Sequence, residues 1–190
     1  MPYTASVSRN ATIIAEVKTQ SPFGFRSGQT WDKLFAIADS VGDILSIHTD
    51  PRWGGSFDLV RTAKAMTAKP ILAKGIHATD KDIEQAIAAG ADFVLVVGRI
   101  PDIHQDKLLI EPLTLEELTS IPPTMKAVWN SRELSDGSMK KETFVQARAV
   151  FPGWLCQASN IRTVEDIEPG ADAVLVGTHL EGFMLSLSKK

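Results

Sequence analysis

The sequence predicts an α/β fold, a shortened (β/α)8 barrel in which some helices are reduced or missing. Three features support this prediction: eight short apolar segments, helical patterns between most of them, and polar residues where the segments end. Continuous apolar runs are typical of strands buried on both faces, as in a parallel sheet. Their alternation with helices indicates repeated βα units. An open, doubly wound sheet is the alternative, but it would use fewer strands and longer helices.

Apolar runs and helix caps locate the elements along the chain. Thr30, Ser56 and Thr79 each precede an amphipathic stretch, where a hydroxyl accepts hydrogen bonds from the first helical turn. The predicted strands are 12–18, 43–49, 71–74, 93–97, 108–111, 126–129, 154–158 and 173–176. The predicted helices are 30–40, 56–66, 79–89, 114–120, 140–150 and 179–188.

Eight βα units are a tight fit for this chain. It has 190 residues, whereas such barrels usually need about 200 or more. We therefore expect the fourth and seventh helices to be vestigial, because residues 98–107 leave no room for an amphipathic helix and 164–168 form at most one turn. The whole chain, 1–190, is predicted to be one domain, with 1–11 as a lead-in.

Composition and charge argue against several classes of protein. The chain is 44% hydrophobic and 23% charged, which is typical of a globular domain. A net charge of −3 predicts no nucleic-acid partner, and no apolar run approaches the roughly 20 residues that span a bilayer. The single cysteine, Cys156, excludes an internal disulfide and favours a cytoplasmic location. The four histidines lack metal-ligand spacing, so no metal is assigned.

Charged residues at the strand ends form the candidate catalytic set, because active sites of such barrels lie at the carboxyl ends of the strands. Glu16 and Lys18 share one face of the first strand and are expected to point into the barrel. Lys74 ends the third strand and Glu111 ends the fifth. Two lysines and a glutamate at one mouth form an acid/base set, in which Glu111 is either the base or the counter-ion of the lysines.

The last two strands predict a phosphate site. Ser159 and Asn160 follow the seventh strand, and Gly177 and Thr178 follow the eighth. These loops often bind phosphate in this fold, because they offer backbone N–H groups and hydroxyls near helix N-termini. The loop after the first strand, which contains Phe23, is either a lid over a ligand or a loop packed on its own side chains.

Six segments resemble, in order, those of the indole-3-glycerol phosphate synthase family. They are I-I-A-E-V-K-T-Q-S-P at 13–22, T-D-P-R-W-G-G-S at 49–56, I-L-A-K at 71–74, L-I-E at 109–111, N-S-R-E-L at 130–134 and G-A-D-A-V-L-V-G at 170–177. The resemblance implies a carboxy-lyase of tryptophan biosynthesis. It would close carboxyphenylamino-deoxyribulose 5-phosphate to indole-3-glycerol phosphate with loss of CO2 and water, using neither cofactor nor metal.

The resemblance also implies roles for the catalytic set. Lys74 would be the general acid of ring closure, and Lys18 would act as an acid in dehydration or hold the substrate carboxylate. Glu111 would be the base, and Glu16 would orient the lysines.

Substrate binding is assigned to further residues at the mouth. By the resemblance, Asn130 and Arg132 would hold the carboxylate side of the anthranilate ring. Ser21 would join the residues of the last two loops around the phosphate. Phe23 and Trp53 are predicted beside them as substrate contacts, because both lie next to the mouth.

Four positions depart from the family pattern and leave alternatives open. Ala158, Gly75 and Ala73 stand where the family has Glu, Asp and Arg, and Asn160 replaces a glycine. The alternatives are a phosphosugar-binding barrel with altered chemistry, such as an Amadori-type isomerase, and a catalytically weak, binding-only paralogue. The first strand has no cysteine, which argues against phosphoribosylanthranilate isomerase. A homodimer is expected from apolar surface exposed by the reduced fourth helix.

Overall fold

A computed structural model describes residues 11–187. Eight parallel strands close into a barrel in chain order, and β8 pairs with β1. This confirms the predicted fold class. The strands are β1 Thr12–Val17, β2 Ile44–His48, β3 Ile71–Lys74, β4 Phe93–Val97, β5 Leu108–Glu111, β6 Lys126–Asn130, β7 Leu155–Ala158 and β8 Ala173–Val176.

Within residues 11–187, six α-helices cover the barrel, and two βα units are reduced as expected. The fourth unit has only the 3-10 turn Gln105–Lys107, and the seventh has only Val164–Asp166. No helix in the described part of the chain is long and apolar enough to cross a membrane. The helices are α1 Trp31–Val41, α2 Phe57–Met66, α3 Asp80–Ala88, α4 Leu115–Ser120, α5 Phe144–Val150 and α6 Leu180–Leu187.

The predicted start of α5 is wrong by four residues. Thr143 caps this helix, and it exchanges hydrogen bonds with Gln146 in a capping box. The preceding residues instead form a loop closed by a bridge between Arg132 and Met139. In contrast, Thr30, Ser56 and Thr79 cap α1, α2 and α3 as predicted.

Two layers of apolar side chains position the functional residues. Ile14 belongs to a cluster inside the barrel, whereas Ala15 and Val17 pack outward against the helices. This alternation along β1 directs Glu16 into the barrel, above Ile14. Along β1, a polar side chain therefore replaces an apolar one at the carboxyl end of the interior, as expected. The single-domain prediction for 1–190, and its lead-in at 1–11, extend outside the described residues and stay predictions.

Candidate active site

A cavity opens at the carboxyl ends of the strands and encloses about 840 Å³ of empty space, counting its open mouth. Nearly every predicted site residue lines it. They are Glu16, Lys18, Phe23, Trp53, Lys74, Glu111, Asn130, Arg132, Ser159, Asn160, Gly177 and Thr178. The fold therefore brings together residues from every sequence segment that was expected to build the site.

Glu16 and Lys74 form a buried ion pair at the base of this cavity. The Nζ atom of Lys74 lies 2.5 Å from Oε1 of Glu16, which is only 2% exposed. Burial alone would raise the pKa of Glu16, but Lys74 and then His48 hold this pKa well below its ordinary value. Burial alone would lower the pKa of Lys74, but the negative charges of Glu16 and Glu111 raise this pKa above its ordinary value. Both groups are therefore charged around neutral pH.

Glu111 is hydrogen-bonded to an amide rather than to a lysine. The Nδ2 atom of Asn130 donates to Oε1 of Glu111 at 2.9 Å, and the hydroxyl of Ser159 donates to Oδ1 of Asn130 at 2.6 Å. Burial raises the pKa of Glu111, since loss of hydration disfavours the carboxylate. Because Glu16 is the direct counter-ion of Lys74, the geometry favours Glu111 as the base.

Lys18 lies beside the loop that follows β8. Its Nζ atom is 3.3 Å from Oγ1 of Thr178 and 5.5 Å from the centre of the Phe25 ring. Burial lowers the pKa of Lys18, and the cation of Lys74 adds to this effect against the opposing pull of Glu16. A lysine of this kind releases its proton more readily than an exposed one, which suits a general acid.

The loop after β7 contains two consecutive residues in a left-handed backbone conformation. Ser159 and Asn160 have φ values of 75° and 57°, in the left-handed region. Asparagine tolerates this region better than most residues, so the replacement of the family glycine at Asn160 keeps the loop conformation. Gly177 and Thr178 lie just before α6, where the helix N-terminus favours an anion.

Arg132 is fixed at the mouth by two loops. Its Nη1 atom donates to the carbonyl oxygen of Gly137 at 2.6 Å, and Nη2 donates to Oδ1 of Asn160 at 3.1 Å. The backbone N–H of Arg132 also donates to Oδ1 of Asn130 at 3.1 Å. The guanidinium therefore stays oriented without a carboxylate partner of its own in the described residues, which leaves its charge available to a substrate anion.

Aromatic side chains form one wall of the cavity. The rings of Phe23 and Trp53 meet edge to face with centroids 6.2 Å apart, and His48 stacks on Trp53 at 5.9 Å. The loop after β1 reaches the loop after β6, because a Cβ on Gly137 would lie only 2.5 Å from Cγ of Phe23. Phe23 thus packs on the opposite loop, in agreement with a cover over the mouth.

Ser21 is the one predicted site residue that does not line the cavity. Its hydroxyl oxygen accepts hydrogen bonds from the backbone N–H groups of Phe23 and Phe25, each at 3.3 Å. The Ser21 side chain therefore supports the turn that carries Phe23. A contact with phosphate would require it to give up these bonds.

The structure explains one of the departures from the family pattern. A Cβ on Gly75 would lie 2.3 Å from Oγ1 of Thr49, so no larger residue fits there unless Thr49 moves. Thr49 is in turn 3.0 Å from Nε2 of His77, whose Nδ1 is 2.5 Å from the carbonyl oxygen of Leu95. Thr49 and His77 thus occupy the space beside residue 75.

Two histidines at the cavity received no role from the sequence. His48 ends β2, and its Nε2 atom lies 2.9 Å from Oε1 of Glu16, whereas His179 follows Thr178 in the loop after β8. The position of His48 at a strand end was the available signal, but its partner on another strand could not be identified from local spacing. Among residues 11–187, no group of three His, Cys, Asp or Glu side chains is arranged to hold a metal ion.

Comparisons with known proteins identify the family. The family model described as indole-3-glycerol phosphate synthase matches residues 3–184. The indole-3-glycerol phosphate synthase of Sulfurisphaera tokodaii is 32% identical, over 93% of this chain and 80% of the relative. The Pyrococcus abyssi enzyme of the same name is 31% identical, over 88% of this chain and 84% of the relative.

A solved structure agrees on the fold alone. A crystal structure of 3-hexulose-6-phosphate synthase has a TM-score of 0.63 and covers 92% of this chain and 99% of its own, at 14% sequence identity. The family match over nearly the whole chain carries more information, because it includes the strand ends that line the cavity. The chain belongs to the indole-3-glycerol phosphate synthase family.

Proposed function

We propose that the protein is a carboxy-lyase that converts carboxyphenylamino-deoxyribulose 5-phosphate to indole-3-glycerol phosphate, CO2 and water, a step of tryptophan biosynthesis. One observation carries this proposal: the buried Lys74–Glu16 ion pair and the amide-held Glu111 face the same cavity. An acid that holds its proton, next to a base with a raised pKa, is what a reaction with separate protonation and deprotonation steps requires.

Ring closure comes first in the proposed reaction. The anthranilate carbon that bears the carboxylate attacks the ketone carbon of the sugar chain, and a carbon–carbon bond forms. Lys74 gives a proton to the ketone oxygen, which becomes a hydroxyl. The charge that develops on this oxygen is stabilised by the ammonium group, and Glu16 holds Lys74 in place through the 2.5 Å contact.

Decarboxylation and dehydration complete the reaction. The carboxylate leaves as CO2, and its bonding electrons restore the aromatic ring. Lys18 then protonates the hydroxyl, which leaves as water, and Glu111 removes the proton from the neighbouring ring carbon. The two lysines lose two protons and Glu111 gains one, so one proton from solvent restores the enzyme.

Two sets of residues at the cavity would bind the two ends of the substrate. We assign the anthranilate carboxylate to Arg132 and Asn130, because a guanidinium fork matches the geometry of a carboxylate. Phe23 and Trp53 would pack against the aromatic ring. We assign the phosphate to the loops after β7 and β8, that is, to Ser159, Asn160, Gly177 and Thr178.

The remaining assignments are part of the same proposal. The buried single cysteine and the phosphorylated substrate support a cytoplasmic location. Ile100 and Leu113, which are 38% and 40% exposed near the reduced fourth helix, support self-association as a homodimer. Size-exclusion chromatography with light scattering tests this, and a monomer at micromolar concentration would contradict it. The acidic net charge supports the absence of a nucleic-acid partner.

Substrate labelled with ¹³C in its carboxylate tests the proposed reaction. We expect labelled CO2 and indole-3-glycerol phosphate in equal amounts. In the Lys18→Ala variant we expect CO2 release to exceed indole formation, because this change impairs the dehydration step. Binding of the substrate with neither product would contradict the proposal and favour a binding-only relative.

A further inference from the structure

The imidazole of His48 touches the ion pair at the base of the cavity. Its Nε2 atom lies 2.9 Å from Oε1 of Glu16, the same oxygen that accepts from Lys74. His48 is 5% exposed and lines the cavity, with its ring nearly parallel to that of Trp53, at an interplanar angle of 5°. The family resemblance assigns it no role.

The hydrogen bonds determine which nitrogen of His48 carries the proton. Glu16 is ionised and can only accept, so Nε2 must be the donor. The Nδ1 atom is buried and has no hydrogen-bond partner among the described residues. A proton on Nδ1 would be a buried, unpaired donor, which is strongly unfavourable. The ring is therefore neutral, with its proton on Nε2.

The charges around His48 agree with a neutral ring. Burial lowers the pKa of His48, and Lys74 and Lys18 add to this effect against the pull of Glu16. Asp50, in the loop after β2, is a further charged group near the ring. Trp53 covers one face of the imidazole without adding charge.

We infer that His48 is a positioning residue for the reaction, which fixes the Glu16 carboxylate so that Lys74 is aimed at the substrate ketone. Glu16 is held on three sides: Lys74 and His48 donate to Oε1, and the backbone of Gly177 lies against Oε2. Without His48, Lys74 is the one remaining side-chain hydrogen-bond donor to Oε1 among the described residues, so the carboxylate and the lysine can shift together. This role rests on the proposed function, since it acts through Lys74.

Two amide variants separate the hydrogen bond from the volume of the side chain. His48→Gln places an amide donor near the position of Nε2, whereas His48→Asn places its donor near Nδ1. His48→Leu keeps an apolar surface against Trp53 but donates nothing. We expect the Leu and Asn variants to lose about 10- to 100-fold in kcat with KM within about three-fold, because a hydrogen bond to a charged group is lost. His48→Gln should recover most of kcat.

Two NMR measurements test the same role without turnover. The ¹⁵N spectrum of His48 should show a protonated Nε2 and a bare Nδ1 at neutral pH. A ¹³C titration of the Glu16 carboxyl should give a higher pKa in His48→Leu than in the wild type or His48→Gln. If the wild-type enzyme shows no turnover, the proposed function is contradicted. The two spectra still show whether His48 donates a hydrogen bond to Glu16. A protonated Nδ1, an unchanged Glu16 titration in His48→Leu, or wild-type kcat in that variant would overturn the inference.

Discussion

The Glu16 carboxylate of β1 lies directly against the backbone of Gly177, after β8. A Cβ on Gly177 would be only 1.7 Å from Oε2 of Glu16. No side chain fits there while Glu16 keeps its present position and its 2.5 Å contact with Lys74. Gly177 therefore makes room for the ion pair, in addition to its predicted role in binding phosphate.

Gly177→Ala should displace the Glu16 carboxylate. We expect kcat to fall by about 10- to 100-fold, since the added methyl group weakens the hydrogen bonds of a buried charge. Gly182→Ala is the matched control, because the atom nearest to its new Cβ is the Arg162 carbonyl oxygen, at 3.8 Å. Steady-state kinetics and thermal melting of both variants provide the measurement. Equal kcat values for the two would contradict the importance of the contact.

Activity should follow a bell-shaped pH profile with both limbs drawn toward neutrality. Glu111 acts as an ionised base, and burial raises its pKa. On the acidic side, kcat/KM should therefore rise at a higher pH than the one at which an ordinary glutamate loses its proton. Lys18 acts as a protonated acid, and burial lowers its pKa. On the alkaline side, kcat/KM should therefore fall at a lower pH than the one at which an ordinary lysine loses its proton. The dependence of kcat/KM on pH provides the measurement.

The Lys18→Arg variant controls for the assignment of the alkaline limb. Arginine keeps its proton throughout the accessible range and is a poor proton donor, so overall activity should fall. In the residual activity the alkaline limb should disappear while the acidic limb stays. An alkaline limb that persists in this variant would show that another group controls it.

Asn160→Gly should separate phosphate binding from the orientation of Arg132. Glycine adopts the left-handed φ of 57° freely, so inhibition by inorganic phosphate should change by less than about two-fold. Loss of the 3.1 Å contact from Nη2 of Arg132 should raise KM by about three- to ten-fold. Asn160→Val is the contrasting variant, because a β-branched residue is strained in this conformation. Equal phosphate inhibition in the Gly and Val variants would contradict the proposed role of the loop.

Much of the barrel could be predicted from local sequence. The strands 71–74, 93–97, 108–111 and 173–176 agree with the structure to the residue. Apolar runs with clear boundaries define them: Pro70 and Gly75 enclose the third strand, and Gly-Ala-Asp precedes the fourth and the eighth. The start of α5 could not be read in the same way. The loop before α5 is closed by a bridge between Arg132 and Met139. The residues of this loop show neither the helical nor the strand pattern of apolar residues that would have marked its end.

The candidate site shows the same limit. Strand ends identified Lys18, Lys74 and Glu111, because strand direction alone places their side chains at one mouth. Glu16 was identified because it shares one face of the first strand with Lys18. The choice of partners depends on register between strands: His48 pairs with Lys74 along β2 and β3, which brings its ring to Glu16. Ser21 failed to reach the cavity because its hydroxyl is used by the turn that follows it. Neither contact has a signature in local spacing.

The measurement that tests the central claim most directly compares wild type and Lys74→Ala for formation of indole-3-glycerol phosphate, followed by indole fluorescence. We expect product from the wild type and a rate lower by about 10²- to 10⁴-fold in the variant, the usual contribution of a general acid. Circular dichroism should show that the variant keeps the barrel. Product formation that survives Lys74→Ala, or its absence in the wild type, would contradict the proposed catalytic role of the Lys74–Glu16 pair.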